Sequence, residues 1–133
     1  MINFFKKKKI LITGNTGFVG SWLTLFLLTK SSSVYGISNT IPEGNLFKLL
    51  NFKKKIKFFK FDINNETKLK NFFKKNKFNI IIHLAAEPLV YKAYKYPKET
   101  IANNFLSTLN LLNLTKNFKN LIFINFTTDK VYE

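Results

Sequence analysis

The chain has 133 residues, of which 46% are hydrophobic, and this length and composition predict one domain with a core of its own. It contains no cysteine, which excludes disulfides and thiolate chemistry, and no apolar stretch is long enough for a membrane span or a secretory signal, which favours a cytoplasmic location. The net charge of +15 comes from lysine without arginine, the side chain best shaped for phosphate recognition, and so indicates an A/T-rich codon bias rather than nucleic-acid binding.

The first predicted strand, Lys9–Thr13, runs into a glycine-rich loop that leads to a helix predicted over Phe18–Leu28. Gly14 permits the tight turn, Gly17 lets the backbone approach a pyrophosphate, and Gly20 lets the helix pack against the strand. The start of the helix adds unpaired N–H groups and its positive dipole end. The loop predicts a dinucleotide site, and a glycine-rich turn without a ligand is the alternative.

Apolar runs and amphipathic segments alternate along the whole chain, which is typical of a parallel sheet covered by helices on both faces. Four more strands are predicted, at Val34–Ile37, Ile56–Phe61, Asn79–Leu84 and Leu121–Phe126. The prediction is therefore an α/β fold, a Rossmann-like doubly wound parallel sheet of strand order 3-2-1-4-5 that is truncated after the fifth strand. The outer edge of the fifth strand is expected to be exposed.

Two further helices are predicted from apolar stripes. The first stripe consists of Leu69, Phe72 and Phe73, with Asn64 or Asn65 as the helix cap. The second consists of Ile101, Phe105, Leu109 and Leu112. The connection from Ser38 to Lys55 is predicted to hold a short helical turn at Leu46–Leu50. The lysine runs at 6–9 and 53–55 are expected in solvated loops or at strand edges.

Polar residues follow the second and third strands, at the edge where open α/β sheets bind ligands. Ser38 and Asn39 stand where an acidic residue would bind the adenosine ribose. Both are neutral and neither is the arginine expected for a 2′-phosphate, which favours NAD over NADP by a small margin. Asp62 can accept a hydrogen bond from an adenine amino group or cap the strand-to-helix turn, and both interpretations stay open.

The fourth and fifth strands also end in candidate site residues. His83 is expected to be packed and satisfied rather than catalytic, and a single histidine makes no metal site. The alanines at 85 and 86 leave room for a ligand over the backbone. Asp129 and Lys130 place an acid and a base side by side for proton transfer, or form a turn with a solvated lysine.

The pattern Tyr-x-x-x-Lys occurs twice, at Tyr91/Lys95 and at Tyr94/Lys98. Both copies follow the fourth strand rather than the fifth, and Pro97 interrupts the segment. We therefore reject both as a catalytic tyrosine-lysine pair.

Taken together, these motifs resemble the extended short-chain dehydrogenase/reductase family of NAD-dependent epimerases and dehydratases. The resemblance runs over essentially the whole chain and rests on Thr13–Leu23, Asn45–Phe47, Asp62–Ile63, His83–Leu89, Pro97, Glu99–Thr100, Asn104 and Thr127–Lys130. Within the family, the segments Gly-Ser-Trp-Leu, Asn-Leu-Phe and Thr-Asp-Lys are most similar to 4,6-dehydratases that act on CDP-glucose.

The resemblance implies an NAD(P)-binding Rossmann domain over residues 1–133, with NAD as the cofactor. The residues that it assigns to the cofactor are Gly14, Thr16, Gly17 and Phe18 at the pyrophosphate, Gly20 at the helix start, Asp62 and Ile63 beside the adenine, Leu84, Ala85 and Ala86 along the cofactor, and Asn104 in support.

The resemblance also implies a nucleotide-linked hexose, CDP-glucose, as the substrate of the full-length form. Oxidation at C4 acidifies the C5 hydrogen, water is eliminated across C5 and C6, and hydride returns to C6. In this scheme Thr128 bonds the C4 oxygen, Asp129 protonates the departing 6-hydroxyl and Lys130 stands at the C5 base.

Three residues depart from the family pattern: Val19 replaces a lysine, Glu87 a glutamine and Ser107 a glycine. The true Tyr-x-x-x-Lys helix and the substrate domain are expected beyond Glu133, so the chain is expected to be inactive alone and to work with a C-terminal half or as a homodimer. The alternatives are a nucleotide-sugar epimerase or reductase of the same superfamily, a non-catalytic NAD-binding fragment, and a basic nucleic-acid binder.

Overall fold

Five parallel strands form one sheet in the order β3-β2-β1-β4-β5 in the computed structural model, which describes residues 4–30 and 32–127. The strands are β1 (Lys9–Thr13), β2 (Ser33–Ser38), β3 (Lys57–Lys60), β4 (Ile80–His83) and β5 (Ile122–Asn125). Each begins and ends within one residue of its predicted position. The predicted fold class and strand order are confirmed.

The connections between the strands are mostly helical. The helices are α1 (Phe18–Thr29), α2 (Leu46–Leu49), α3 (Phe52–Lys55), α4 (Glu66–Lys75), α5 (Val90–Lys95), α6 (Pro97–Ile101) and α7 (Ser107–Thr115), and a π-helical turn at Ala102–Leu106 joins α6 to α7. Asn65 caps α4 by accepting a hydrogen bond from the Lys68 N–H at 3.0 Å, which confirms the second of the two predicted caps. Tyr94 and Lys98 lie on different helices because Pro97 begins α6.

The two central strands are buried on both faces, which explains their continuous apolar sequences. On one face, Ile10 and Ile12 pack in a cluster with Leu27 of α1. On the other, Leu11 and Ile81 pack in a cluster with α4 and α7, whose buried side chains there are Leu69, Phe72, Phe73 and Leu111. The two layers of helices thus cover β1 and β4 on both faces.

The predicted helix over the second apolar stripe is confirmed, but the stripe is not its buried face. Ile101, Phe105, Leu109 and Leu112 are all exposed. The buried positions of α7 are Ser107, Leu111 and Thr115. Two of these are polar, and their hydroxyls donate to carbonyls one turn earlier in the helix, so a polar face packs on the sheet without unpaired groups.

The connection between β2 and β3 contains the predicted helical turn, observed as α2. The lysines at 53–55 are exposed as expected, but they form the short helix α3 rather than a loop or strand edge. Phe52, which is fully buried, anchors this helix under Phe47 of α2. Lysine is itself a good helix former, so the run continues as a helix once the buried Phe52 anchors its start.

β5 pairs only with β4 among the described strands, and its apolar side chains are incompletely covered. Ile122 is 43% exposed and Ile124 is 40% exposed, as expected for this edge of the sheet. None of the helices in the described ranges is both long and apolar enough to cross a membrane.

Candidate functional site

A cleft of about 340 Å³ lies at the carboxyl ends of β1 to β4, above the glycine-rich loop. Eight of the residues that the resemblance assigns to the cofactor line it: Gly14, Thr16, Gly17, Asp62, Ile63, Leu84, Ala85 and Ala86. The topological switch point of a doubly wound sheet lies at this edge, where such folds bind ligands. The structure therefore brings most of the predicted set together in one concave site.

The other predicted residues lie elsewhere. Phe18 is 81% exposed at the start of α1 and does not line the cleft. Gly20 is buried against the loop, and Asn104 does not line the cleft but bonds to the backbone of Glu87, which does. The three residues predicted to be catalytic, Thr128, Asp129 and Lys130, fall outside the described residues.

The three glycines of the loop have different roles. Gly14 has a φ of +70°, and a Cβ there would lie 2.8 Å from the Ala85 nitrogen. A Cβ on Gly20 would lie 2.3 Å from the Gly14 carbonyl oxygen, so at this position α1 packs against the backbone of the loop. Gly17 is different, because a Cβ there would meet only the Gly14 oxygen, at 3.3 Å. The protein's own packing requires the first and third glycines, whereas the second, which lines the cleft, has one close neighbour that would have to shift by only a few tenths of an ångström.

The start of α1 has the composition expected at an anion site. Its N-cap is Gly17, no side chain among the described residues caps it, and its first turn carries no acidic residue. Ser21 satisfies its own hydroxyl by donating to the Gly17 carbonyl at 2.7 Å. The first N–H groups and the positive end of the helix dipole are thus free of acidic competition, which fits a diphosphate.

Asn15 fixes the loop to β2, a role that the sequence analysis missed. Its side chain is fully buried, and its Oδ1 accepts a hydrogen bond from the Ser38 hydroxyl at 3.1 Å. The amide lies over Gly36, where a Cβ would come within 2.3 Å of Nδ2. Nδ2 has no partner among the described residues. A glycine inside an otherwise β-branched and aromatic strand is the signal that predicts such a close approach.

Thr16 is held from the same side of the cleft. Its hydroxyl donates to the Thr40 carbonyl at 2.8 Å, and its N–H donates to the Ser38 hydroxyl at 3.4 Å. The Asn45 amide donates to the Thr16 carbonyl at 2.5 Å while its Oδ1 caps α2. The end of β2 thus offers the cleft three neutral residues, Ser38, Asn39 and Thr40, of which Ser38 already bonds to the loop.

Asp62 makes the capping contact predicted for it. Its Oδ1 accepts from the Asn64 N–H at 2.8 Å, in the turn that leads to α4. The residue also lines the cleft, beside the buried Ile63. Capping therefore leaves Asp62 in position for the second predicted role.

His83 is packed and hydrogen-bonded, as predicted. Its Nδ1 lies 2.6 Å from the Thr13 hydroxyl, and its Nε2 lies 3.1 Å from the Thr108 hydroxyl and 3.3 Å from the Ser107 hydroxyl. The ring thereby joins the ends of β1 and β4 to α7. Burial lowers the pKa of His83 from 6.5 to about 4, because the charged imidazolium is poorly solvated there.

We expect this histidine to make folding stability fall in mild acid. At about pH 8 the histidine is neutral in both the folded and the unfolded state, and its contribution to stability is complete. As the pH falls through 6.5 the unfolded state binds a proton that the folded state does not bind until about pH 4, so the free energy of unfolding should drop by roughly 1.5 kcal/mol between pH 6.5 and pH 5. Urea denaturation at both pH values measures this drop. The His83→Gln variant, which cannot titrate, should show a clearly smaller drop, and an equal drop in both proteins would contradict the assignment.

Asn104 supports the cleft through the backbone of Glu87. Its Oδ1 accepts from the Glu87 N–H at 2.7 Å, and its Nδ2 donates to the Glu87 carbonyl at 3.2 Å. Asn104 sits in the π-helical turn, a rare local geometry that is frequent at functional sites. Asn104 thus holds the backbone of a residue that lines the cleft, and its predicted role in supporting the cofactor stays a prediction.

Known proteins place the chain in a family. The sequence model described as GDP-mannose 4,6-dehydratase matches residues 11–132, which is nearly the whole chain. The chain belongs to this family of sugar-nucleotide dehydratases and epimerases.

Two relatives and one solved structure show how similar the chain is to known proteins and how much of their length it covers. The chain is 35% identical to CDP-glucose 4,6-dehydratase of Salmonella typhimurium over 98% of this chain and 37% of the relative, and 40% identical to dTDP-D-glucose 4,6-dehydratase of Dictyostelium discoideum over 94% and 30%. The structure of UDP-glucose 4-epimerase from Bifidobacterium longum in complex with NAD+ and UDP superposes with a TM-score of 0.74 at 28% identity, covering 86% of this chain and 36% of that one. The chain therefore spans about a third of the length of these family members.

Proposed function

We propose that this chain is the NAD-binding N-terminal part of a sugar-nucleotide 4,6-dehydratase of the CDP-glucose type. The single observation that carries the proposal is Gly17, which lines the cleft at the start of α1 and where an added Cβ would meet a single protein atom, the Gly14 oxygen at 3.3 Å. The Salmonella relative favours CDP-glucose as the substrate of the whole protein. We further propose that residues 1–133 form an NAD(P)-binding Rossmann domain that is incomplete without a substrate-binding part.

Different residues of the cleft would bind different parts of the cofactor. Gly14, Thr16 and Gly17 would bind the pyrophosphate together with the start of α1, and Asp62 and Ile63 would flank the adenine. Three residues with apolar or small side chains would lie along the rest of the cofactor: Leu84, Ala85 and Ala86. Gly20 and Asn104 would act indirectly: Gly20 would hold the loop in place, and Asn104 would hold the cleft wall.

When bound, NAD supplies the acceptor and donor of hydride for oxidation at C4 and reduction at C6 of the hexose. The chain's own contribution to proton movement is assigned to three residues after β5. Thr128 would donate a hydrogen bond to the C4 oxygen, Asp129 would protonate the departing 6-hydroxyl, and Lys130 would take the C5 proton. The base for the first oxidation is a tyrosine that none of these residues replaces, so we propose that the 133 residues are inactive alone.

A nucleotide-sugar 4-epimerase is the second candidate. The observation that favours it is the likeness to epimerase structures such as that of Bifidobacterium longum. An epimerase needs no acid to expel a hydroxyl, so the Asp129 and Lys130 pair favours the dehydratase. We also propose that a second copy of the chain or a C-terminal half completes the site.

Calorimetric titration of the folded chain with NAD tests the binding part of this proposal. We expect saturable binding of one NAD per chain, followed by no loss of water from added CDP-glucose in mass spectra of the products. A folded chain that does not bind NAD at millimolar concentration would overturn the proposed function. Dehydration of CDP-glucose by the 133 residues would contradict the proposed dependence on a further part.

A further inference from the structure

Lys92 is the only cationic side chain among the described residues that line the cleft. The other two charged residues there are the carboxylates of Asp62 and Glu87. The glycine-rich loop contributes N–H groups and a helix dipole but no cation, so a ligand with two phosphates would meet one positive and two negative side chains. The position and partner of Lys92 therefore affect how such a ligand is held.

Lys92 is paired inside the cleft with Glu87. The distance from its Nζ to Glu87 Oε2 is 3.0 Å, and this carboxylate raises the pKa of Lys92 by a direct hydrogen bond and by its charge. The Glu87 Oε1 accepts from the Leu89 N–H at 3.2 Å, and the Glu87 backbone is held on both sides by Asn104. Glu87 is thus fixed by four contacts, whereas Lys92 reaches the pair on a flexible four-carbon stem.

We propose that Lys92 contacts the anionic part of a ligand in the cleft. Without ligand its ammonium group is paired with Glu87, and when a diphosphate binds, this group leaves the carboxylate and bonds to a phosphate oxygen. The inference rests on the proposed function. Lys92 supplies positive charge to the ligand, and Glu87 weakens this contact by competing for the same ammonium group.

The electrostatics favour an exchange of partners. Exposed fractions of 40% for the Lys92 side chain and 20% for Glu87 leave their ion pair in contact with solvent, where such pairs contribute little. A diphosphate carries more negative charge than one carboxylate and accepts a charge-assisted hydrogen bond equally well. Lys92 therefore loses little by leaving Glu87 and gains a stronger partner.

A purely structural role for the pair makes a different prediction. Glu87 and Lys92 flank the start of α5, so the pair also tethers this short helix to the cleft wall. If that were its whole role, removal of either side chain would loosen the wall, and both changes would weaken every ligand alike. The two roles therefore predict opposite effects of removing the Glu87 carboxylate: NAD binds more tightly if the pair restrains Lys92, and more weakly if the pair only holds α5 in place.

The test compares Lys92→Gln and Glu87→Gln by calorimetric titration with NAD and with uncharged adenosine. We expect Lys92→Gln to weaken NAD binding about fivefold and Glu87→Gln, which releases Lys92, to tighten it about threefold. Adenosine affinity should change less than twofold in both variants, and both effects on NAD should shrink as salt is raised. Lys95→Gln is the matched control, because Lys95 lies on α5 but does not line the cleft.

The inference is overturned if both variants weaken NAD binding, if neither changes it, or if adenosine responds as NAD does. Its failure is distinct from failure of the proposed function. A wild-type chain that binds no NAD refutes the proposed function, whereas a wild-type chain that binds NAD with variants that behave alike refutes only the role of Lys92.

Discussion

The Gly17→Val variant is expected to fold and to lose NAD binding altogether. The backbone of Gly17 has φ −71° and ψ 177°, an extended conformation that valine adopts easily, and a Cβ would meet only one protein atom, at 3.3 Å. The Gly14 oxygen must shift by a few tenths of an ångström, and the reduced freedom of the unfolded chain offsets part of that cost, so the free energy of unfolding should fall by only about 1 kcal/mol. The valine methyl groups would instead occupy the space in the cleft that the diphosphate needs.

Calorimetric titration with NAD, together with urea denaturation, checks this prediction. Val19→Ala is the matched control, since Val19 lies two residues after Gly17, is 51% exposed and does not line the cleft. The control should bind NAD as the wild type does. A folded Gly17→Val variant with undiminished NAD affinity would show that the cleft does not hold the diphosphate.

The Gly20→Ala variant is expected to lose roughly 3 kcal/mol of stability, the upper part of the range for overpacking a tight site. The added Cβ would lie 2.3 Å from the Gly14 oxygen and 2.7 Å from the Asn15 Cα. Both are backbone atoms, so no side chain can rotate away and the loop itself must move. Because the loop carries Gly17, NAD affinity should fall as well.

Gly44→Ala provides the comparison for this variant. Gly44 has a φ of +64° with nothing within 4 Å of the added Cβ, so only backbone strain of about 1 kcal/mol is expected. Urea denaturation of both variants measures the difference. Equal stability of Gly20→Ala and the wild type would show that α1 does not pack against the loop as described.

The sheet could be predicted from the sequence because the residues within each strand already show a pattern typical of a strand. The continuous apolar sequences of β1 and β4 reflect burial on both faces, and the glycine loop with its following helix fixes where the first βαβ unit begins. Gly14 and Gly17 could likewise be assigned to the cleft, since the spacing of glycines describes a local turn.

Other features depend on contacts between distant parts of the chain. The Asn15 and Ser38 hydrogen bond joins residues 23 positions apart, and only Gly36 gives a sign of it in the sequence. The inward face of α7 is occupied by Ser107 and Thr115, whose hydroxyls bond within the helix, so apolar periodicity pointed to the wrong face. The pairing of Glu87 with Lys92 depends on how α5 is placed over the sheet edge, which no local pattern specifies.

A crystal structure of the chain soaked with NAD tests the central claim most directly. We predict electron density for the diphosphate over Gly17 at the start of α1, with the adenine beside Asp62 and Ile63. A cleft filled by the protein's own side chains, with NAD absent or bound at another surface, would contradict the assignment of this site.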